Sequence, residues 1–560
     1  MMTRVLHAQN NKIKKIPRSI SALQYLNEVD VRNNVIGALP ASVTKLKKLS
    51  SLNVSDNRLK TLPKTIHKAS GLETCVVSNN KIKKLPKNIG QSNMTMLNVS
   101  QNSIKVLPKS IYALPRSLDV SRNQIEALPA IVISKKSKGN ISHMNLSDNK
   151  LTKLPEEIDR LQRLTFINVS HNKLKTLPTA LGSLKYLHHL DVSHNQLPVL
   201  PATVYSVGYA LSTLDLTSNE LETIPDGIGA LKKLRCLFLS CNKLVNLPQD
   251  MNELVSLQQL DISSNQLHSL RPLIAMLLWL FILNLADNDL ASIPPSIGHM
   301  KSLKQLYLQR NHLETLPTTL GEDQLLQVID VSHNELIELP EDLRKWRTME
   351  QMHFGENHIS QIPKSIKHLG MLHTLDLGGN NIVGMPLPDM APQSLRTILI
   401  AGNPIELEEF PLPLCNCRFL KDLKISGNSI NALPGNVGRL KLLETFDASN
   451  NQIEGLPQQI SLLTNLRQLY LQNNAIEEFT QNLVKLRSLQ ILNISGNKIK
   501  KLPENFGELN KLTQMDLSDN ELPELPNDRI DVLASLIQLN ISYNYVKQIP
   551  TDMPYLYRMQ

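Results

Sequence analysis

Cysteine is scarce in this chain of 560 residues, where Cys75, Cys236, Cys241, Cys415 and Cys417 are all there are. Their odd number and scatter exclude a disulfide framework and point to a reducing, cytoplasmic compartment. Cys415 and Cys417 stand too close together for a zinc knuckle and have no second pair, so no metal is expected there. Aromatic residues make up only 4% of the chain. They do not interleave with the lysines as base-stacking platforms would, and nucleic acid is not an expected partner. Long apolar runs are missing too. The longest, Leu273 to Leu283, has 11 residues, against the roughly 20 that span a bilayer. The opening MMTRVLHAQNNKIKKIP contains no apolar stretch of the kind a secretory leader requires. The chain also lacks a phosphate-binding loop, a serine elbow, a zinc-binding HExxH and the kinase signature set. Neither catalysis nor a cofactor is expected.

What the chain has is repetition. In LTFINVSHNKLKTLP, residues 164–178, Leu164, Ile167, Val169, Leu174 and Leu177 stand at fixed offsets around Asn172, and Pro178 closes the unit. The same frame recurs from Asn11 to Asn544 in 24 copies, and 17 of the 23 intervals are 23 residues long. A fixed period in this range signals a solenoid in which each unit buries its apolar face only against its neighbours. Ile167, Asn168 and Val169 alternate with period 2, which reads as one strand per coil, stacked in parallel about 4.8 Å apart. The asparagine follows at the turn, where its amide has both donors and an acceptor for backbone groups that stacking would otherwise strand, so it reads as structural. Proline fills the sixth position after asparagine in 21 of the 24 units. It is expected at the first residue of a short helical or 3₁₀ turn, as in PEEIDRL from Pro155.

The frame LxxLxLxxNxLxxLP resembles the leucine-rich repeat from Leu6 to Pro550, and the 23-residue LP-type unit, without the cysteine caps of extracellular members, is similar to the intracellular Ras-group scaffolds, the Ras-suppressor and Shoc-type proteins. The resemblance implies an α/β fold, a right-handed leucine-rich-repeat solenoid or horseshoe with a parallel β-sheet on the concave face and short helical or 3₁₀ turns on the convex face. It also implies a non-enzymatic protein-binding scaffold whose concave face holds a small GTPase, or a phosphatase or kinase component. One elongated domain over residues 1–560 is expected, because a solenoid grows by adding coils. Its inner arc, at about 4.8 Å per strand, is on the order of 115 Å. An irregular seam is expected at 386–420, around PLPDMAPQ and EFPLPLCNC. A surface insertion is expected at SKKSKGN, from Ser134 to Asn140. At the far end Tyr555, Leu556 and Tyr557 are expected to cover the last coil.

Departures from the frame locate candidate sites. In the thirteenth unit Phe281 takes a position that is polar in other coils, such as Thr165 and Arg235, and Leu278, Trp279 and Ile282 add to the anomaly. If the frame holds, these side chains leave the core and form an apolar patch, the usual makings of a binding hot spot. The competing expectation is that the preceding unit, with Arg271 where proline belongs, rearranges and buries them. The outward strand position reads Asp or Asn in 16 of 24 coils. It departs from this at Phe238, Tyr307, His353, Leu399 and Tyr470. Tyr307 with Arg310, His333, His353 and Glu356 makes a mixed aromatic and charged cluster, and a partner is expected over repeats 11 to 16. His171 and His194 share a column, with His143, His188 and His189 nearby, and read as a polar, pH-sensitive face rather than a metal site.

Charge is distributed unevenly. Residues 1–200 hold 31 Lys+Arg against 11 Asp+Glu, whereas residues 201–560 hold 29 against 39. Just after the asparagine the early units carry Lys12, Lys14 and Lys15, then Arg58 and Lys60, Lys81, Lys83 and Lys84, Lys105, Lys150 and Lys153, and Lys173 and Lys175. Stacking sets these in rows along one edge, where their fields add. The edge reads either as a solvated rim or as a docking strip for an acidic ligand or an anionic membrane surface, a peripheral contact without a transmembrane segment.

Overall fold

Each coil begins with three extended residues, because alternation of apolar and polar side chains gives a strand one face to bury and one to leave outside. The computed structural model describes residues 3–114, 116–132, 141–207, 210–322, 324–383, 392–405, 412–503, 505–525, 533 and 535–549. The insertion at 134–140, the segments 384–391 and 406–411 of the expected seam, and Tyr555, Leu556 and Tyr557 lie outside the described residues.

The chain divides into two units, Met1–Leu283 and Asn284–Gln560. In the first, twelve strands from Val5–His7 to Gln259–Asp261 pair in parallel, each with the next. In the second, eleven strands from Gln305–Tyr307 to Gln538–Asn540 do the same. The strand Ile282–Asn284 lies across the division. Equivalent positions pair throughout, so that Asn168 stands beside Asp191 and Asp191 beside Asp215. The register continues through the irregular region, where Thr397–Leu399 pairs with Asp422–Lys424. This is the leucine-rich-repeat solenoid architecture, one strand and one short turn per coil.

The core is a ladder of aliphatic rungs. Leu164, Ile167, Val169 and Leu174 are fully buried and Leu177 nearly so. Each such side chain contributes about 1.5–3 kcal/mol when removed from water. Three-residue strands could not hold these rungs without the turn that follows. Asn172 donates through Nδ2 to the carbonyls of Val169 and Ser170 at 3.0 Å each and to Leu146 of the preceding coil at 3.1 Å, while its Oδ1 accepts from Leu151 N at 2.9 Å. Leaving such buried groups unpaired costs about 1–3 kcal/mol apiece, which is why only an amide serves at this position.

The residue just before each ladder asparagine is left-handed. His171, Arg310, His333 and Glu356 all have φ between 51° and 56°, and Gly379, Gly402, Gly427 and Gly496 fill the same place elsewhere. The other half of the coil is a 3₁₀ turn such as Glu156–Arg160, with Ile158 buried beneath it. The closing proline stands one position earlier than expected. Pro155 is the cap, with φ −63° and ψ 139°, and its carbonyl accepts from Ile158 N at 3.2 Å. An extended ψ keeps proline outside the turn while its fixed φ and free carbonyl still start it. Among the described residues no helix is long and apolar enough to cross a membrane.

Candidate binding surfaces

The outward strand residues form the open face of the sheet, and most of its acceptors are already engaged. Asp191 Oδ1 accepts from Ser193 N at 3.0 Å and from Ser193 Oγ at 2.7 Å, and Asn168, Asp261 and Asp330 do the same with the serine two residues on. These are Asx turns that close each strand before the left-handed residue. The acidic ladder is therefore internal bracing. The spacing of Asp or Asn two residues before Ser is visible in the sequence and was the signal for it.

In the first unit the candidate residues fall into two groups. Phe238 ends the strand Cys236–Phe238, half-buried and in register with Asp215 and Asp261. Leu278 and Trp279 follow the turn Pro272–Met276 near the end of the same unit, 59% and 60% exposed, while Leu277 and Leu280 on either side fill the core. Phe281 and Ile282 are half-buried outside the core, and in the strand Ile282–Asn284 it is Leu283 that is buried, so Ile282 lies on the outward face with Asn284. Phe281 N donates to Gln258 O at 2.8 Å, which ties its backbone to the preceding coil, as Thr165 and Arg235 are tied in theirs.

Two neighbours missed in the sequence complete the patch: Leu273 and Met276 are 54% and 55% exposed. Both occupy positions that are polar in most other coils, such as Thr319 and Glu322, and that is the signal which marks them. Val255 in the preceding coil holds the position equivalent to Leu278 and is exposed as well. The unit with Arg271 does not rearrange. Arg271 adopts φ −73° and ψ 142°, the conformation that proline takes elsewhere, and the turn Pro272–Met276 forms with Ile274 buried. The chain's other tryptophan follows the opposite course. Trp346 takes a core position, buried, with Nε1 donating to Leu320 O at 2.8 Å.

In the second unit Tyr307 ends the strand Gln305–Tyr307 and donates to Gln305 Oε1 at 3.2 Å. Burial, with Asp330 alongside, raises its hydroxyl above the usual tyrosine range. Because tyrosine cannot make the Asx turn, Gln309 replaces the usual serine, and its Oε1 is left buried with no partner among the described residues. The cassette recurs at Tyr470 and Gln472, where Gln472 Oε1 is also unpaired. His353 stands in register between Asp330 and Asp376. Burial holds the Asp376 carboxyl above its ordinary value, with the backbone N–H of Gly378 and nearby His353 pulling the other way. Arg310 pairs with Asp287 at 3.6 Å, and Arg310, His333 and Glu356 are left-handed residues of successive coils. Tyr307, Arg310, His333, His353 and Glu356 thus lie along one strip of this unit, on the strand ends and the turns that follow.

The histidine column of the first unit is a stack. His171 and His194 lie with ring centroids 4.0 Å apart and planes at 9°, and His143, Phe166 and His189 stack alongside at 5.9 and 4.5 Å. Imidazole lone pairs lie in the ring plane, so parallel rings direct them side by side and cannot converge on one ion. Among the described residues no three His, Cys, Asp or Glu side chains gather as a metal site. The basic edge is exposed along its length, and among the described residues none of its cations, from Lys12 to Lys175, has a carboxylate within ion-pair distance.

Comparison with known proteins agrees with this architecture. A family model described as leucine rich repeat matches residues 116–174, 139–197, 210–267, 464–522 and 487–546, and a second, for two copies of the repeat, matches 441–485. No curated protein matches the chain. Among solved structures it is similar to the plant peptide hormone receptor RGFR1 in complex with RGF2, at 25% identity over 99% of this chain and 88% of that one, with a TM-score of 0.66. It is also similar to PEPR1 in the PEPR1–AtPEP1 structure, at 25% identity over 96% and 78%, TM-score 0.62. A leucine-rich-repeat protein of Leptospira interrogans, LIC12759, is 26% identical over 86% and 98%, TM-score 0.53. Register, asparagine ladder and family models converge on leucine-rich repeats.

Proposed function

We propose that the protein is a non-enzymatic protein-binding scaffold whose principal contact is the apolar patch of the first unit. The observation that carries this is the exposure of Leu273, Met276, Leu278 and Trp279 together in one coil. Contiguous apolar surface around a tryptophan is the composition of an interface hot spot. The solved relatives with peptide ligands, RGFR1 with RGF2 and PEPR1 with AtPEP1, support a protein or peptide partner. The strip from Tyr307 to Glu356 offers the second unit's polar counterpart. The 23-residue LP-type unit supports a narrower reading, an intracellular scaffold of the Ras-group kind acting in small-GTPase signalling with a GTPase, phosphatase or kinase component as partner. All five cysteines are free, which suits a reducing cytoplasm.

The test is proximity labelling in the native cell with the wild-type chain and with Leu278→Asp/Trp279→Ala. Both residues are exposed, so the variant keeps its circular dichroism spectrum. The expected outcome is that the principal labelled protein disappears and, once purified, binds the variant at least about 30-fold more weakly, the effect of losing one hot-spot side chain. A folded variant that keeps every labelled neighbour would remove the patch from the function.

A further inference from the structure

The basic edge deepens into a groove across the first three coils. Lys14, Lys15 and Arg18 of the first coil, Lys45 of the second and Lys68 of the third line a space of about 1400 Å³, and no carboxylate lines it. Gly37 of the second coil stands where the first has Lys14 and the third Lys60, and the space its side chain would fill is empty. The row of lysines is therefore notched at its centre. Two hydroxyls complete the lining. The oxygens of Ser42 and Thr65 are buried with no partner among the described residues. In other coils the same position is satisfied by the preceding coil, as Ser110 Oγ donates to Lys87 O at 2.6 Å and Thr319 Oγ1 to Pro295 O at 2.6 Å.

The equivalent groove of the second unit shows which of these features belong to the fold. It encloses about 1000 Å³ and is lined by Glu338, Glu341 and Lys364, with Ser365 alongside. Ser365 Oγ there donates to Glu341 O at 2.5 Å. The groove itself comes from the turn geometry common to all coils. Five cations with no anion, and two hydroxyls left without partners, distinguish the groove of the first three coils from that of the second unit.

We propose that this groove binds clustered phosphates, presented either by a free polyphosphorylated small molecule or by the headgroup of a polyphosphorylated lipid. Charge density favours phosphate over carboxylate. Each phosphate monoester carries roughly −1.5 to −2 charges and three acceptor oxygens, so two or three balance the five cations within one groove, where a peptide would need five carboxylates. Ammonium groups and hydroxyls are both donors suited to those oxygens. A bound phosphate offsets the mutual repulsion of the lysines and gives Ser42 and Thr65 an acceptor. The site is independent of the apolar patch, so either can fail without the other.

Titration calorimetry of the full chain with inorganic tripolyphosphate, in about 0.15 M NaCl where exposed charges are screened beyond roughly 8 Å, tests it. Saturable binding at one site is expected. Lys14→Glu/Lys45→Glu/Lys68→Glu should weaken it at least about 30-fold, and Lys150→Glu/Lys153→Glu/Lys173→Glu, the same charge change on the edge outside the groove, no more than about threefold. Gly37→Leu fills the notch without altering charge, in space that is open in the folded chain, and should weaken binding about tenfold. Absence of saturable binding overturns the proposal. So do equal losses in the two triple variants, which would mean a diffuse field rather than a site, and so does undiminished binding by Gly37→Leu. Sedimentation with vesicles containing a bisphosphorylated inositol lipid assigns the source. Capture that tripolyphosphate competes away names the headgroup, and binding of tripolyphosphate without capture names a soluble ligand.

Discussion

A histidine stacked on an aromatic ring is held in one protonation state more firmly than a solvated one. His189 lies 4.5 Å from the Phe166 ring with the planes at 4°. Burial lowers its pKa from 6.5, against the opposing pull of Asp191 and Asp215. In the window just below 6.5 the unfolded chain therefore binds more protons at this position than the folded one. Stability rises with pH across that window and falls as the solution is acidified through it. Asp215 in the next coil slopes the other way. Burial raises its carboxyl above 3.8, so just above that value the folded chain holds more protons and loses stability as pH rises. The two windows separate the effects. His189→Gln should remove part of the stability lost between about pH 7.5 and 5.5, measured as the urea midpoint of the wild type and variant at each pH. Identical pH dependence in the two proteins would show that folding leaves the pKa of the stacked ring unchanged.

At the scale of the element, the cap before each 3₁₀ turn is selected by backbone angles rather than by side-chain bonds. Pro248 and Pro294, one coil to either side of Arg271, have φ −64° and −67°, and Arg271 has φ −73°. Arg271 O accepts from Ile274 N at 3.1 Å, and among the described residues its own N–H donates to no backbone carbonyl. Arg271→Pro should therefore raise stability by about 0.4–1 kcal/mol, by restricting the unfolded chain. Urea unfolding measures this, and a loss would mean that Leu270 cannot take the extended conformation required before proline. The same position shows why some elements were legible in the sequence. Strand, ladder asparagine and closing proline recur with one residue type at one offset, so period alone exposes them. The left-handed position before asparagine escapes this reading because His171, Cys241, Glu356, Tyr543 and Gly402 all fill it. Its requirement is a backbone angle, which many side chains tolerate at a modest cost. The apolar patch was legible in part. Trp279 and Phe281 break the frame conspicuously, whereas Leu273 and Met276 pass as part of an apolar run until the coil is folded and its outward positions are known. The groove of the first three coils was not legible at all, since its walls come from three coils and its centre from the missing side chain of Gly37.

At the scale of the molecule, the two units hold their charge differently. Residues 1–200 carry a net +20, from 31 cations less 11 anions, and the cations of the basic edge have no ion-pair partner among the described residues. In the second unit cations are paired across neighbouring coils: Lys345 with Glu322 at 2.6 Å, Lys421 with Glu444 at 2.9 Å, Arg467 with the same Glu444 at 3.5 Å. Their mutual attraction holds the Glu444 carboxyl below its ordinary value, chiefly through the hydrogen bond from Lys421. Exposed pairs of this kind are worth about 0.2–1 kcal/mol each, and less as salt is added. Unpaired like charges in neighbouring coils repel, and salt relieves that repulsion. The screening length falls from roughly 20–30 Å near 0.02 M to about 4 Å near 0.5 M, from several coils to less than one. Because a solenoid's stability is close to a sum over neighbouring coils, the two effects need not average out along the chain. Amide hydrogen exchange at these two salt concentrations should show greater protection with added salt in the strands from Val5–His7 to His189–Asp191. In the strands from Gln351–His353 to Gln514–Asp516 protection should be unchanged or lower. A change of the same sign and size in both regions would mean that the edge lysines are solvated independently of one another, and that their alignment along the coils has no energetic consequence.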